Sequence, residues 1–171
     1  MPIDYFLESE KYRPEEIRTL LVGEAPPPSG KDYFYVPKPM DTSIPIQDDR
    51  SLPATIFHHY FQQRPADMGA YINFLRRLQA KSIFLVDICD DPIRVRGSSE
   101  GLARIISDIP ILRTKMGGRE IHVPDRDIIF LLARNSYRKH IRREFPSARI
   151  IRWIDFRMSP DPLEVQPDHR Q

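Results

Sequence analysis

The sequence predicts an α/β fold with three layers, in which helices cover a central, mostly parallel four-stranded sheet. Two observations support this class. Short apolar runs alternate with segments of helical periodicity, and each run is continuously apolar. Continuous apolar strands are typical of parallel sheets, which are buried on both faces. The 171 residues suffice for one domain, expected at residues 1–160, with residues 161–171 as a C-terminal tail.

The apolar runs predict strands at residues 18–23, 82–88, 127–133 and 148–154. Helical segments lie between successive runs, so each connection is a crossover between parallel strands, and such crossovers are right-handed. We expect the strand order 2-1-3-4. In sheets of this kind, ligands bind beyond the carboxyl ends of the strands. Four segments are therefore expected to converge there: Gly23–Pro28, Asp87–Asp91, Arg134–Ser136 and Asp155–Pro160.

Apolar spacing, polar caps and terminating prolines predict the helices. They are expected at residues 51–63, 67–80 and 98–109, and from a cap at Asn135 or Ser136 to Phe145. A shorter helix is expected at Pro14–Thr19. The proline-rich residues 24–53 predict a long loop, and residues 113–126 predict a polar connection that contains glycine.

Composition excludes several classes of protein. The longest apolar run, Ile128–Ala133, is far shorter than the ~20 residues of a membrane span, so no membrane association is expected. The N-terminus has neither a basic start nor an apolar signal stretch. The single cysteine, Cys89, excludes an internal disulfide, a four-cysteine zinc site and a cysteine-ligated iron–sulfur cluster. A cytoplasmic location is expected.

Basic residues concentrate in the last third of the chain. Residues 126–157 carry nine basic and three acidic side chains, net +6. This charge predicts a nucleic-acid partner, DNA above all, with Arg138 and Arg142 contacting phosphates. Backbone N–H groups near Asn135 and Ser136 are expected to assist at the start of the helix. A solvated helix face is the alternative interpretation.

The most informative motif follows the first strand, which ends in Gly23-Glu24-Ala25-Pro26 and is followed by the aromatic residues 33–35. This stretch resembles the first motif of the uracil-DNA glycosylase superfamily, an apolar strand that enters a G-x-[ADN]-P turn. It is most similar to the Gly-Glu-Ala-Pro branch, whose members carry an iron–sulfur cluster. Residues 82–93, 127–136 and 148–160 are similar to later strands and loops of that superfamily, in the same order.

The resemblance implies a uracil-DNA glycosylase-like fold and a DNA-repair hydrolase that excises a damaged or deaminated base from DNA by cleaving its N-glycosidic bond. Base excision in this superfamily needs no metal, and no cofactor is expected because this chain has only one cysteine. Glu24 would be the catalytic carboxylate, acting on the positive charge that develops on the sugar, as in glycoside hydrolysis. The expected base-binding residues are Gly23, Ala25, Pro26, Phe34, Asp87, Arg157 and Ser159.

The chain departs from the superfamily pattern at several positions. Asp87 stands where an asparagine reads the base, and Ala25 stands where several branches carry a catalytic Asp or Asn. Arg157 and Met158 occupy the His-Pro positions of the second motif, so Arg157 is expected to donate to the leaving oxygen instead of histidine. The cluster cysteines are absent.

Two other functions stay open at this stage. One is a catalytically silent module that binds a nucleotide or nucleic acid in the same cleft. The other is a metal-dependent phosphoesterase that uses Asp87, Asp90 and Asp91, since clustered carboxylates suit hard cations. Purely structural interpretations also exist: Gly23 and Pro26 as a tight strand exit, and residues 33–35 packed beneath their own loop.

Overall fold

The central sheet matches the prediction closely. A computed structural model describes residues 2–95, 97–132, 134–159 and 161. Four parallel strands form one sheet in the order β2-β1-β3-β4, as expected. They are Thr19–Gly23 (β1), Ile83–Asp87 (β2), Ile128–Leu132 (β3) and Arg149–Arg152 (β4). The α/β class is confirmed, and the sheet with its helices is consistent with three layers.

Burial along the strands follows their place in the sheet. The central strand β3 is buried at every position, and so is β1 from Leu20 onward. The edge strand β4 has only Ile150 buried, between exposed Arg149 and half-buried Ile151. This strand is shorter than predicted, because a helix starts at Trp153 directly after it.

Seven α-helices surround the sheet in the described part of the chain. They are Tyr5–Glu10 (α1), Leu52–Phe61 (α2), Met68–Ala80 (α3), Ser99–Asp108 (α4), Leu112–Gly118 (α5), Arg138–Glu144 (α6) and Trp153–Arg157 (α7). Those corresponding to α2, α3, α4 and α6 were predicted. No helix of the described residues is long and apolar enough to cross a membrane.

Three local predictions are wrong. The first helix is α1, and residues 14–19 do not form a helix. Asp4 caps α1, since its side chain accepts a hydrogen bond from the Leu7 N–H at 3.0 Å. Part of the predicted connection 113–126 is the helix α5, which buries Leu112 and Met116. The cap of α6 is Tyr137, without a side-chain capping bond, rather than Asn135 or Ser136. The predicted tail lies outside the described residues, apart from Asp161.

One arginine fixes several points of the proline-rich loop. Arg64 forms a nearly buried ion pair with Asp49 at 3.0 Å. The same guanidinium donates to the carbonyl oxygens of Asp41, at 3.2 Å, and of Ile44. A guanidinium has five N–H donors in a fixed plane, so one side chain can bind several points of a loop whose regular structure is limited to two short 3-10 helices.

Two adjacent histidines fasten α7 to α2. The His59 Nδ1–H donates to the Phe156 carbonyl at 2.9 Å, and the His58 Nδ1–H donates to the Arg157 carbonyl at 3.2 Å. The His59 ring also stacks on the Phe156 ring, with centroids 3.7 Å apart. Because a carbonyl only accepts, each Nδ1 carries its proton. These histidines are structural.

The buried His59 predicts a loss of stability in mild acid. Burial lowers the pKa of His59 below its ordinary 6.5. The unfolded chain therefore binds this proton more readily than the folded chain, so the free energy of unfolding falls as pH drops through about 6.5. Urea unfolding at pH 7.5, 6.5 and 5.5 should show this fall, and His59→Gln should flatten it. An equal fall in both proteins would contradict the assignment. The hydrogen bond from Arg152 lowers the pKa of Asp155 below its ordinary 3.8, so protonation of Asp155 does not contribute to a loss of stability between pH 7.5 and 5.5.

Candidate functional site

The carboxyl ends of all four strands meet at one cavity of about 250 Å³. The turn after β1 supplies Gly23 to Pro28, the end of β2 supplies Asp87, and the segments after β3 and β4 supply Arg134 and Trp153. An apolar part of the wall comes from α4 and the loop before it, through Ile93, Leu102 and Ile105. This volume lies just below the about 300–1,000 Å³ of drug-sized ligand pockets, so it suits a ring rather than a dinucleotide.

The Gly-Glu-Ala-Pro turn is fixed by the chain that continues from β2. The Ile88 N–H donates to the Gly23 carbonyl at 3.0 Å, and the Cys89 N–H donates to the Glu24 carbonyl at 2.9 Å. Gly23 is opposite Asp87 in the sheet register. A Cβ atom on Gly23 would lie 2.5 Å from the Asp87 Oδ1 atom. Glycine is therefore required for Asp87 to stay where it lines the cavity.

The three aromatic residues after the turn are buried, as their structural interpretation anticipated. The Tyr35 hydroxyl donates to the Leu85 carbonyl at 3.1 Å and accepts from the Leu85 N–H at 2.7 Å, which satisfies both groups on the open edge of β2. Tyr33 and Phe34 also line the cavity. Phe34 thus has two roles, since its ring packs against Phe57 with centroids 5.5 Å apart.

Glu24 lines the cavity beside Tyr137. Burial, and then the charge of Glu24, raise the pKa of Tyr137, so its hydroxyl stays protonated at any physiological pH. The contact of the hydroxyl with Glu24 falls short of full hydrogen-bond geometry. Nearby, Arg134 lies over Gly97 and donates to its carbonyl at 3.2 Å. A φ of +86° at Gly97 suits glycine, and so does the close guanidinium.

Two predicted base-binding residues lie elsewhere. Arg157 is 2% exposed, donates to the Asp49 carbonyl at 2.5 Å and does not line the cavity. Ser159 is exposed and is also outside the cavity wall. The expectation that residues 155–160 form a loop at the site is wrong, because residues 153–157 form α7, which packs on α2.

The predicted phosphate-binding residues lie along and before α6, outside the cavity wall. Arg138 donates to the Ile150 carbonyl at 3.3 Å, and Arg142 donates to the Ala148 carbonyl at 2.8 Å. Both arginines are exposed and tie α6 to the segment that leads into β4. Asn135 and Ser136 are exposed and precede a helix of only seven residues.

Sequence reasoning did not propose Arg50, Tyr137 or Trp153, whose polar groups are part of cavity-lining side chains. Arg50 comes from the proline-rich loop, and Trp153 was placed inside the fourth strand. Arg134 was expected to converge at this edge but was not proposed as a site residue. Trp153 is the single tryptophan of the chain, and this singularity was a signal in the sequence that could have drawn attention to it as a site residue.

The acidic cluster after β2 is engaged with basic side chains. Asp90 pairs with Lys115 at 3.1 Å and Asp91 pairs with Arg104 at 3.5 Å. Within the described residues, no group of three or more His, Cys, Asp or Glu side chains is arranged to hold a metal ion. Burial and neighbouring Asp108 raise the pKa of the Cys89 thiol to about 12, so it is not an activated nucleophile.

Comparisons with known proteins add no assignment. No protein-family model matches the sequence, and neither a curated protein nor a solved structure is significantly similar to it. The functional conclusion therefore rests on the residues and their geometry.

Proposed function

We propose that this protein binds a nucleobase extruded from DNA and hydrolyses its N-glycosidic bond, as a member of the uracil-DNA glycosylase superfamily would. The observation that carries the proposal is the cavity itself. It joins the Gly23–Pro26 turn, Phe34 and Asp87, which are among the elements that the resemblance assigns to base binding. An enzyme acting on a base must first take it out of the stack, and a pocket of this size suits one base.

The charges around the cavity support the chemistry. Glu24 and Asp87 line it and offer negative charge where a sugar carbon becomes positive. The exposed Arg50 and Arg134 also line it and suit the phosphates on either side of an extruded nucleotide. Glu24 is the acid we place nearest the sugar, because it belongs to the turn that corresponds to the superfamily's first motif.

The decisive experiment is single-turnover excision. Duplex and single-stranded oligonucleotides that contain uracil, hypoxanthine or a mismatch are incubated with excess protein, and abasic product is detected by alkaline cleavage. Product with at least one substrate supports the proposal. Absence of product from every substrate, with DNA still bound, would favour the silent binding module.

One observation favours that second function. The position that corresponds to the superfamily's catalytic histidine is Arg157, which is buried and donates to a loop carbonyl rather than to the cavity. A protein that has the base pocket and the basic residues of α6, but lacks a donor at the position of the catalytic histidine, is suited to binding nucleic acid without cleaving it. The excision assay separates the two functions.

The basic face of α6 predicts salt-dependent binding. Replacing Arg138, Arg142 and Arg143 with glutamine should lower the slope of log K against log salt by up to about 3 units, because each phosphate contact releases about 0.9 counterion. The bonds of Arg138 and Arg142 to carbonyl groups leave other N–H donors for phosphate.

The matched control for this triple variant removes the same charge at Arg18, Lys31 and Lys81, far from α6 in the sequence. Fluorescence anisotropy of a labelled oligonucleotide between 25 and 200 mM salt measures both slopes. Equal slopes in the two triple variants would show that α6 is only a solvated surface.

A further inference from the structure

Two buried hydrogen-bond donors in the cavity wall lack acceptors. The Tyr137 hydroxyl and the Trp153 Nε1–H are buried, and neither meets a hydrogen-bond partner among the described residues. Both side chains line the cavity. An unpaired buried donor is costly in a folded protein, so two of them in one cavity wall point to an acceptor supplied by whatever occupies the cavity.

These donors differ from the other unpaired nitrogens. The Nε atoms of Arg119 and Arg157 also lack partners, but each belongs to a guanidinium whose terminal nitrogens are bonded elsewhere. The indole of Trp153 has a single donor, and the hydroxyl of Tyr137 has a single proton. Of these four side chains, only those of Tyr137 and Trp153 line the cavity and make no side-chain hydrogen bond of full geometry.

The fold fixes where this pair lies. Trp153 starts α7 immediately after β4, and Tyr137 caps α6 after β3, so the donors come from the side of the sheet opposite β2 and Asp87. Tyr137 is fully buried, and its hydroxyl meets Glu24, another residue of the cavity wall. The hydroxyl end of Tyr137 is therefore the end that reaches the site.

We infer that Tyr137 and Trp153 form the subsite for the oxygen of the departing base and donate hydrogen bonds to it as it gains negative charge. This inference rests on the proposed function. In the reaction the C1′–N bond breaks and its electron pair passes to the base, where it is shared with a carbonyl oxygen. Water adds to C1′, and its released proton ends on the base. Donors preorganised at that oxygen stabilise the transition state.

This assignment replaces the one made for Arg157. The resemblance places the leaving-group donor at Arg157, after β4, and the structure provides a donor four residues earlier, at Trp153. The ligand class is correspondingly defined as a base with a ring carbonyl, rather than one that offers only amino groups.

The first test uses the leaving group. Tyr137→Phe deletes one oxygen atom, and single-turnover rates are measured on oligonucleotides with uracil and with 5-fluorouracil, a better leaving group. We expect excision of uracil to slow by about 100-fold, as when one oxyanion donor is removed. The loss with 5-fluorouracil should be smaller, so the ratio of the two rates rises. Trp153→Phe should act in the same way. Unchanged rates and an unchanged ratio in both variants would overturn the inference.

Stability provides the folding control. Because the Tyr137 hydroxyl makes no full hydrogen bond in the folded protein, Tyr137→Phe should unfold at the same temperature as wild type or higher. A lower unfolding temperature, with a rate ratio like that of wild type, would mean that the hydroxyl is structural and would also overturn the inference.

A binding measurement keeps the inference separate from the proposed function. Trp153 is the single tryptophan, so its fluorescence reports on the cavity. An oligonucleotide with 2′-fluoro-2′-deoxyuridine, which resists cleavage, is compared with one that carries a tetrahydrofuran abasic site. A fluorescence change seen only with the oligonucleotide that carries the base, together with weaker binding by Tyr137→Phe, would support the subsite even if no base is ever excised. No base-dependent change, together with no excision, would overturn both.

Discussion

Glu24→Gln is expected to slow base excision by about 30- to 1,000-fold, the equivalent of about 2–4 kcal/mol of transition-state stabilisation. The substitution retains the shape of the side chain and removes its negative charge. Glu24 lies in the turn after β1, which the Cys89 N–H holds in place. A fixed carboxylate beside a developing cation contributes in the transition state and little in the ground state, so kcat should fall while DNA affinity is retained.

Asp32→Asn is the matched control for Glu24→Gln. Asp32 also lines the cavity, but it is exposed and lies beyond the Gly-Glu-Ala-Pro turn. Both variants remove one negative charge from the same cavity, so a general effect on DNA attraction would appear equally in both. Single-turnover rates and anisotropy should show a slow step for Glu24→Gln alone. Equal rates for Glu24→Gln and wild type would remove Glu24 from the mechanism.

The sheet could be predicted because its information is local. Four continuous apolar runs mark β1 to β4, and intervening helical patterns force parallel pairing. The helices α1 and α5 were missed because they are short and amphipathic over too few turns to show a period. The end of β4 was misplaced because Trp153 and Ile154 continue an apolar run, while tertiary packing of Phe156 against His59 favours a helix there.

The site could be predicted only where its residues end or directly follow a buried strand. The Gly23–Pro26 turn begins at the end of β1 and Asp87 ends β2, so topology alone places them at one edge of the sheet. Arg157 was assigned to the site by alignment to a motif, but it is the last residue of α7, and its side chain donates to the loop carbonyl of Asp49. Tyr137 and Trp153 have apolar rings with one donor each, and sequence does not reveal whether that donor finds an acceptor.

Phe34 shows why a cavity residue is difficult to test by truncation. Its side chain is 3% exposed, and its ring contacts those of Tyr35 and Phe57. Its carbonyl also accepts a hydrogen bond from the Tyr71 hydroxyl at 2.6 Å. Phe34→Ala is therefore expected to destabilise the fold by about 3–5 kcal/mol, as large-to-small core substitutions do. Chemical denaturation followed by far-UV circular dichroism measures this loss. A loss below about 1 kcal/mol would contradict the burial of Phe34.

Phe34→Leu separates base stacking from core packing. Leucine retains most of the apolar volume, so the expected destabilisation is about 1–3 kcal/mol, but it has no aromatic face for a base. Stacking on an aromatic side chain contributes about 1–3 kcal/mol per base, so affinity for an oligonucleotide with an extruded base should fall by about 5- to 150-fold. Phe74→Leu is the matched control, since Phe74 is buried in the same core outside the cavity wall. If both leucine variants bind this oligonucleotide as tightly as wild type, Phe34 serves the core alone and the base stacks elsewhere.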